Sequence, residues 1–374
     1  MFSQRLQWHL SSNAISRALE QKQQEGVAFL DLTESNPTRA GICFPQTSLL
    51  LGFQDPAMLV YDPQSAGLTA ARKHLSEAFS LDPAKLILTS STSEAYSWLF
   101  KLLCDPGDEV LVPQPSYPLF EYLAALESVS VSHYPLLYSG AWSIDLHTLE
   151  ERITRRTRAI VIVNPNNPTG SYVSPAEMEQ VNKLCTEHDL ALISDEVFAD
   201  YPLNPIPSFQ PAALRVSAMA FSLNGLSKMV GMPQMKLAWI LTNHPEAHRR
   251  LELIADTYLS VGTPVQYALP ALLEARHAIQ DQIRCRLQAN LKALQAQLSP
   301  RHVEGGWYAI LQVPRTLSEE DWVLRLLNDH NVLVQPGYYY DFSSEAFLVL
   351  SLLTPEHTFQ QGVNRINSAR GLYS

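Results

Sequence analysis

From about residue 85 to residue 242 the chain alternates short apolar runs with amphipathic ones, and this alternation limits its fold more than any other feature. "KLILTS" reads as a strand and "STSEAYSWLFKLLC" as a helix. "DPGDEVLVPQPSY" is turn, strand and loop; "LFEYLAALES" is helical and "VSVSHYPL" extended. "RAIVIVNPNNPTG" is a buried strand ending in a Pro/Asn/Gly turn. "SPAEMEQVNKLCTEHD" is a helix whose Ser174 and Glu177 form a capping box. "LALISDEVF", "RVSAMAFSL" and "LAWILT" are further strands. Strands that alternate with helices imply parallel pairing and a sheet covered on both faces.

After about residue 244 the pattern changes to long helices, "EAHRRLELIADTYL" and the run from Val265 to Leu298. "GGWYAILQVP", a helix near 318–330, and the strands "VLVQPG" and "AFLVLSLL" follow. The expected fold is α/β: a large domain with a mostly parallel, helix-covered sheet, plus a smaller α+β domain. Residues 46–262 would form the large domain and 263–374 the small one. Residues 1–45 would join the small domain, with Leu6, Leu10, Ile15 and Leu19 suiting a helix.

Composition excludes some functions. The 374 residues carry a net charge of −10 with no basic run, which argues against nucleic acid and anionic membranes as partners. No apolar run reaches the ~18 residues of a membrane span. The N-terminus lacks the apolar core and cleavage site of a signal peptide. Cys43, Cys104, Cys185 and Cys285 are scattered, which suggests reduced core thiols and a cytoplasmic setting.

In open parallel sheets ligands bind beyond the carboxyl ends of the strands. Four polar groups fall at such ends. Ser90, Ser91, Thr92 and Ser93 stand between a strand and a helix, at a ready anion site. "NPNNPTG" is a rigid turn that holds the Asn167 amide for a ligand. Asp195 ends an apolar run, where a carboxylate needs a cationic partner. In "NGLSKMVGMPQMKLAW", Lys228 follows Gly-Leu-Ser between two buried strands. A lysine in such a place can be desolvated and act as an amine nucleophile. Taken singly, each has a plain reading: helix cap, turn, ion pair, solvated lysine. Together and in this order, they are what pyridoxal phosphate requires. The lysine holds its aldehyde as a Schiff base, and the aspartate keeps its ring nitrogen protonated.

From about Leu30 to Leu353 the sequence resembles the fold type I, class I/II aminotransferases of the aspartate aminotransferase superfamily, most closely their alanine aminotransferase-type branch. "YDPQSAGLTAARKHL", "STSEA", "PSYPLFEY", "NPNNPTG", "SDEVF" and "NGLSK" carry the resemblance. It implies that Ser91, Thr92, Ser227 and Lys236 contact the cofactor phosphate. Tyr117 would stack on the ring, and Asn167 and Asp195 would meet its O3′ and ring nitrogen. Lys228 would also be the base of the 1,3-proton shift. Tyr61 would reach the phosphate of the neighbouring subunit's cofactor, which implies a homodimer. The substrates implied are an amino donor and a 2-oxo acid acceptor. Alternatives on the same scaffold are a C–S lyase, a decarboxylase or a non-catalytic cofactor-binding module.

Four positions depart from the family. Phe198 stands where a tyrosine bonds O3′, with Tyr201 as a distant substitute. Lys236 replaces an arginine paired to the phosphate, and Gly225 replaces a phosphate-binding serine. Val349 replaces the arginine that anchors the substrate carboxylate. Arg39 and Asn36, on the N-terminal segment "ESNPTRAG", are the candidates to take over that anchor.

Overall fold

The computed structural model describes every residue except 1, 7, 9, 10, 205–208, 345 and 374. Its strands, in chain order, are β1 (Leu30–Asp31), β2 (Leu86–Thr89), β3 (Glu109–Gln114), β4 (Ser130–Tyr138), β5 (Trp142–Ile144), β6 (Thr157–Val163) and β7 (Ala191–Asp195). Then come β8 (Ala220–Gly225), β9 (Ala238–Thr242), β10 (Tyr308–Gln312), β11 (Val332–Leu333), β12 (Gln335–Pro336) and β13 (Phe347–Ser351). The helices are α1 (Ala14–Gln24), α2 (Gln46–Leu51), α3 (Thr69–Phe79), α4 (Thr92–Leu103), α5 (Phe120–Leu126) and α6 (Leu146–Glu151). They continue with α7 (Pro175–Glu187), α8 (Leu226–Met229), α9 (Pro245–Tyr258), α10 (Thr263–Gln295), α11 (Glu319–His330) and α12 (Glu356–Tyr373).

Among the described residues the large sheet runs β2-β9-β8-β7-β6-β3-β4-β5. The pairs β8/β7, β7/β6, β6/β3 and β3/β4 are parallel. β9 is antiparallel to both β2 and β8, and β5 is antiparallel to β4. The sheet is therefore mostly parallel, as expected, with β9 reversed inside it.

Burial on both faces explains the near-continuous apolar strands. In β6, Ile160 and Ile162 join one core cluster, while Ala159, Val161 and Val163 join a second. Each of these isoleucine and valine side chains, fully buried, contributes about 1.5–3 kcal/mol. The capping box at Ser174 is present and starts α7.

A three-stranded antiparallel sheet, β10-β13-β12, forms the smaller layer. β1 pairs in parallel with β11, and α1 packs on α11, while the Arg5 side chain donates to the Leu126 carbonyl. α10 packs against α2 and α3 and also against α12, and so runs along both parts.

Several expectations change. The N-terminal helix begins only at Ala14, because the Asn13 side chain accepts from Ser16 N–H and caps it there. Leu6 lies in a separate 3-10 turn, and Leu10 lies outside the described residues. The strand read from Arg215 starts at Ala220, after a 3-10 turn at Ala212–Leu214. Of the four cysteines, all free, only Cys185 is buried, and Cys43 and Cys285 are exposed. Among the described residues, no helix is long and apolar enough to cross a membrane, and no cluster of side chains could hold a metal ion.

Candidate active site

Strand register builds the site. Thr89 in β2 pairs with Ala238 in β9, and Ala238 pairs with Gly225 in β8. One row therefore brings together the Ser90–Thr92 turn, the Lys236–Leu237 turn and the start of α8, which carries Ser227 and Lys228. In the next strands Val163, Asp195 and Leu223 form a second row. The Asn164–Asn167 turn follows Val163, and Tyr117 follows β3.

Asp195 is 8% exposed. The Tyr96 hydroxyl donates to its Oδ2 at 3.1 Å and the Val197 N–H to its Oδ1 at 3.2 Å. Burial still pushes the carboxyl up to about 6, against these bonds and the charge of Lys228. Tyr96, two residues after the helix-start signal at Glu94, escaped the sequence reading. Only its position on the inward face of α4 could have marked it. Burial pulls the Lys228 amine down to about 8, with Asp195 opposing. Nζ lies 4.8 Å from the ring centroid of Trp307 and 5.3 Å from that of Phe198. Trp307 is a second residue the sequence did not single out.

The turn before α4, read from the sequence as an anion site, is ordered by two hydrogen bonds. The Ser91 hydroxyl caps the helix by accepting from Glu94 N–H at 3.1 Å, and Ser90 N–H is bonded to the Glu94 carboxylate at 2.6 Å. The N–H groups of Thr92 and Ser93 have no protein acceptor among the described residues. Lys236 is exposed and sits in the left-handed region, with φ 50°.

Asn167 is 7% exposed, and its buried Oδ1 has no partner among the described residues. A buried amide left unsatisfied costs about 1–3 kcal/mol, so this position suits a ligand group. The other asparagines of the turn are committed: Asn164 Oδ1 accepts from Val173 N–H, and Asn166 binds Ser116 and Thr169. Tyr117 is part-exposed, and its hydroxyl is pushed up to about 12 by burial, then by Tyr308 and Asp195.

The departures have structural reasons. A Cβ on Gly225 would lie 2.8 Å from the Ala238 Cβ and 3.0 Å from its Cα, so no side chain fits there. Phe198 is buried, edge to face with Trp307. Tyr201 is no substitute for the missing phenol, because its hydroxyl donates to the Lys228 carbonyl at 2.5 Å. Val349 is fully buried, in a row with Ile310 and Gln335.

The loop bearing Asn36 and Arg39 passes beside α8. A Cβ on Gly231 would lie 3.1 Å from the Pro37 side chain. Asn36 Oδ1 accepts from both the N–H and the hydroxyl of Thr38, and the Arg39 side chain is exposed. Tyr61 is 80% exposed, on a cavity it shares with Gly67, Trp98, Ser260 and Gly262.

A desolvated amine, a buried carboxylate, an unpartnered amide and free N–H groups at a helix start fit pyridoxal phosphate. Lys228 would take its aldehyde, Asp195 its ring nitrogen, Asn167 the oxygen beside the aldehyde and the α4 turn its phosphate.

Residues 60–366 match the family model for aminotransferase class I and II. The chain is 28% identical over 270 residues to the glutamate-pyruvate aminotransferase AlaA of Escherichia coli K12, covering 69% of this chain and 67% of that protein. It is 26% identical over 309 residues to the alanine aminotransferase of Mycobacterium tuberculosis, covering 74% and 72%. The fold superposes on the solved alanine aminotransferase of Pyrococcus furiosus with a TM-score of 0.88, 23% identity and full coverage of both chains. The chain therefore belongs to the class I and II aminotransferases, enzymes that use pyridoxal phosphate.

Proposed function

We propose that this aminotransferase moves an amino group between an amino acid and a 2-oxo acid, with Lys228 as its central group. The observation that carries this reading is the desolvated Lys228 amine, set at the end of β8 beside the strand that ends in Asp195. Bound pyridoxal phosphate supplies an aldehyde for the amino group and a ring that accepts electrons from the substrate carbon. Lys228 holds the cofactor and, once free, moves the proton at that carbon. An amine lowered to about 8 is neutral often enough near neutral pH to serve as a base. Asp195, ionised at neutral pH, stabilises a protonated ring nitrogen. Asn167 orients the cofactor, Tyr117 covers the ring, and Ser91, Thr92, Ser227 and Lys236 bind phosphate.

The two curated relatives above are named for glutamate, pyruvate and alanine, and these substrates are the first to test. The holoenzyme, mixed with single amino acids, should release one keto acid per active site with a preferred donor. Release from none of them would refute the amino-acid reading. Arg39 is the proposed carboxylate anchor, because its loop lies beside α8, with Pro37 against Gly231. Arg39→Ala should lower kcat/KM for the amino acid at least tenfold, about 1.4 kcal/mol, and leave cofactor affinity unchanged. An unchanged kcat/KM would remove Arg39 from the site.

We further propose that residues 1–45 and 263–374 form the smaller domain, and 46–262 the larger. The exposed free thiols of Cys43 and Cys285 suit the reducing cytoplasm. A homodimer is supported by the exposed Leu50, Leu51, Leu59, Val60 and Tyr61, apolar groups that a monomer seldom leaves bare together.

A further inference from the structure

The ammonium of Lys228 has three N–H donors, and a desolvated amine ordinarily directs them at oxygen. Here no hydrogen bond or ion pair reaches Nζ among the described residues. Its neighbours are two ring faces, Trp307 at 4.8 Å and Phe198 at 5.3 Å from centroid to nitrogen. Both distances fall within the ~6 Å over which a ring face attracts a cation, and tryptophan attracts most strongly.

The two rings are fixed against each other, with centroids 5.4 Å apart and planes at 70°. Tyr201 meets Trp307 edge to face at 5.1 Å, while its hydroxyl binds the Lys228 carbonyl. Trp307 is fully buried, and its backbone carbonyl accepts from Leu352 N–H, just beyond β13. The box thus joins the smaller sheet to the lysine of the larger one.

We propose that Trp307 is a positioning residue for Lys228: its indole face, with that of Phe198, holds the amine by cation–π attraction in place of hydrogen bonds. This rests on the role given to Lys228 above. A ring face holds an ammonium without a fixed direction, so the amine turns between partners without first breaking an oriented bond. The attraction also favours the charged form, against the desolvation that favours the neutral one. Losing the ring while keeping the apolar volume must lower the amine's pKa further.

The test compares Trp307→Leu, which loses the ring, with Trp307→Phe, which keeps one. Full-length protein freed of cofactor is treated with trinitrobenzenesulfonate across pH, and modification of the Lys228 peptide is followed by mass spectrometry. The Leu variant should react with a midpoint at least about half a unit below wild type, with Phe between them. In the holoenzyme the Leu variant should lose at least tenfold in kcat with little change in KM, and Phe should restore most of the loss. A midpoint that is unchanged, or that rises towards the free-lysine value, would show that the rings merely exclude water and would overturn the proposal. If Trp307→Leu does not melt cooperatively, Phe198→Leu must give the same downward shift, and its absence is equally fatal. A wild-type enzyme with no transamination would fault the functional reading and leave the midpoint comparison intact.

Discussion

Two acids beside the site illustrate what burial does to single residues. Glu196 is 2% exposed, and its Oε1 accepts from Ala212 N–H and the Ser222 hydroxyl at 2.8 Å each. Burial outweighs these bonds and pushes the carboxyl from an ordinary 4.5 up to about 7. Asp200 moves up to about 6 for the same reason, with Arg284 and Arg276 opposing. An acid with a raised folded pKa binds its proton more tightly in the folded state. For Glu196 the resulting stability is complete below about pH 4.5 and is lost as pH rises through about 7. The cofactor-free protein should therefore melt at a higher temperature at pH 5 than at pH 8, as far as these groups decide it. Glu196→Gln keeps an oxygen acceptor and removes the titration, so it should shrink that difference. Equal differences in variant and wild type, by calorimetry, would show that Glu196 is not desolvated as described.

At the scale of elements, the approach of β8 to β9 sets the site's shape. Gly225 lets the strand that leads to Lys228 lie against the one that follows Lys236. Gly225→Ala places a Cβ against backbone, which should cost about 1–3 kcal/mol and weaken pyridoxal phosphate binding by spreading the two turns. A variant as stable as wild type, with the same cofactor affinity, would show that the strands yield freely. The strands and helices from 85 to 242 were legible because each carried its own period and punctuation. The candidate site was legible where a motif ended a strand, as at Asp195, Asn167 and Lys228, which the register brings to neighbouring strand ends. β5 and α6 were not read, because three strand residues and six helix residues carry too little pattern. The reversal of β9 left no local mark, since buried parallel and antiparallel strands share the same apolar run. Tyr96 and Trp307 were missed because each looks like any core aromatic until the fold brings it to Asp195 or Lys228. The core reading of the cysteines failed at Cys43 and Cys285, since residue type alone does not fix which face a thiol occupies.

At the scale of the whole molecule, Tyr61 decides between a self-contained site and a shared one. It stands exposed on a stretch of bare apolar residues. If a second subunit covers that stretch, sedimentation should give a dimer of about twice 41.9 kDa. Tyr61→Phe should then weaken cofactor binding without dissociating it. An active monomer would remove the shared site. If Lys228 carries the cofactor, borohydride reduction of the holoenzyme followed by peptide mass mapping should give one modified peptide, with the reduced cofactor on Lys228, and none in Lys228→Ala. Cofactor fixed to another lysine, or retained unchanged by the alanine variant, would contradict it.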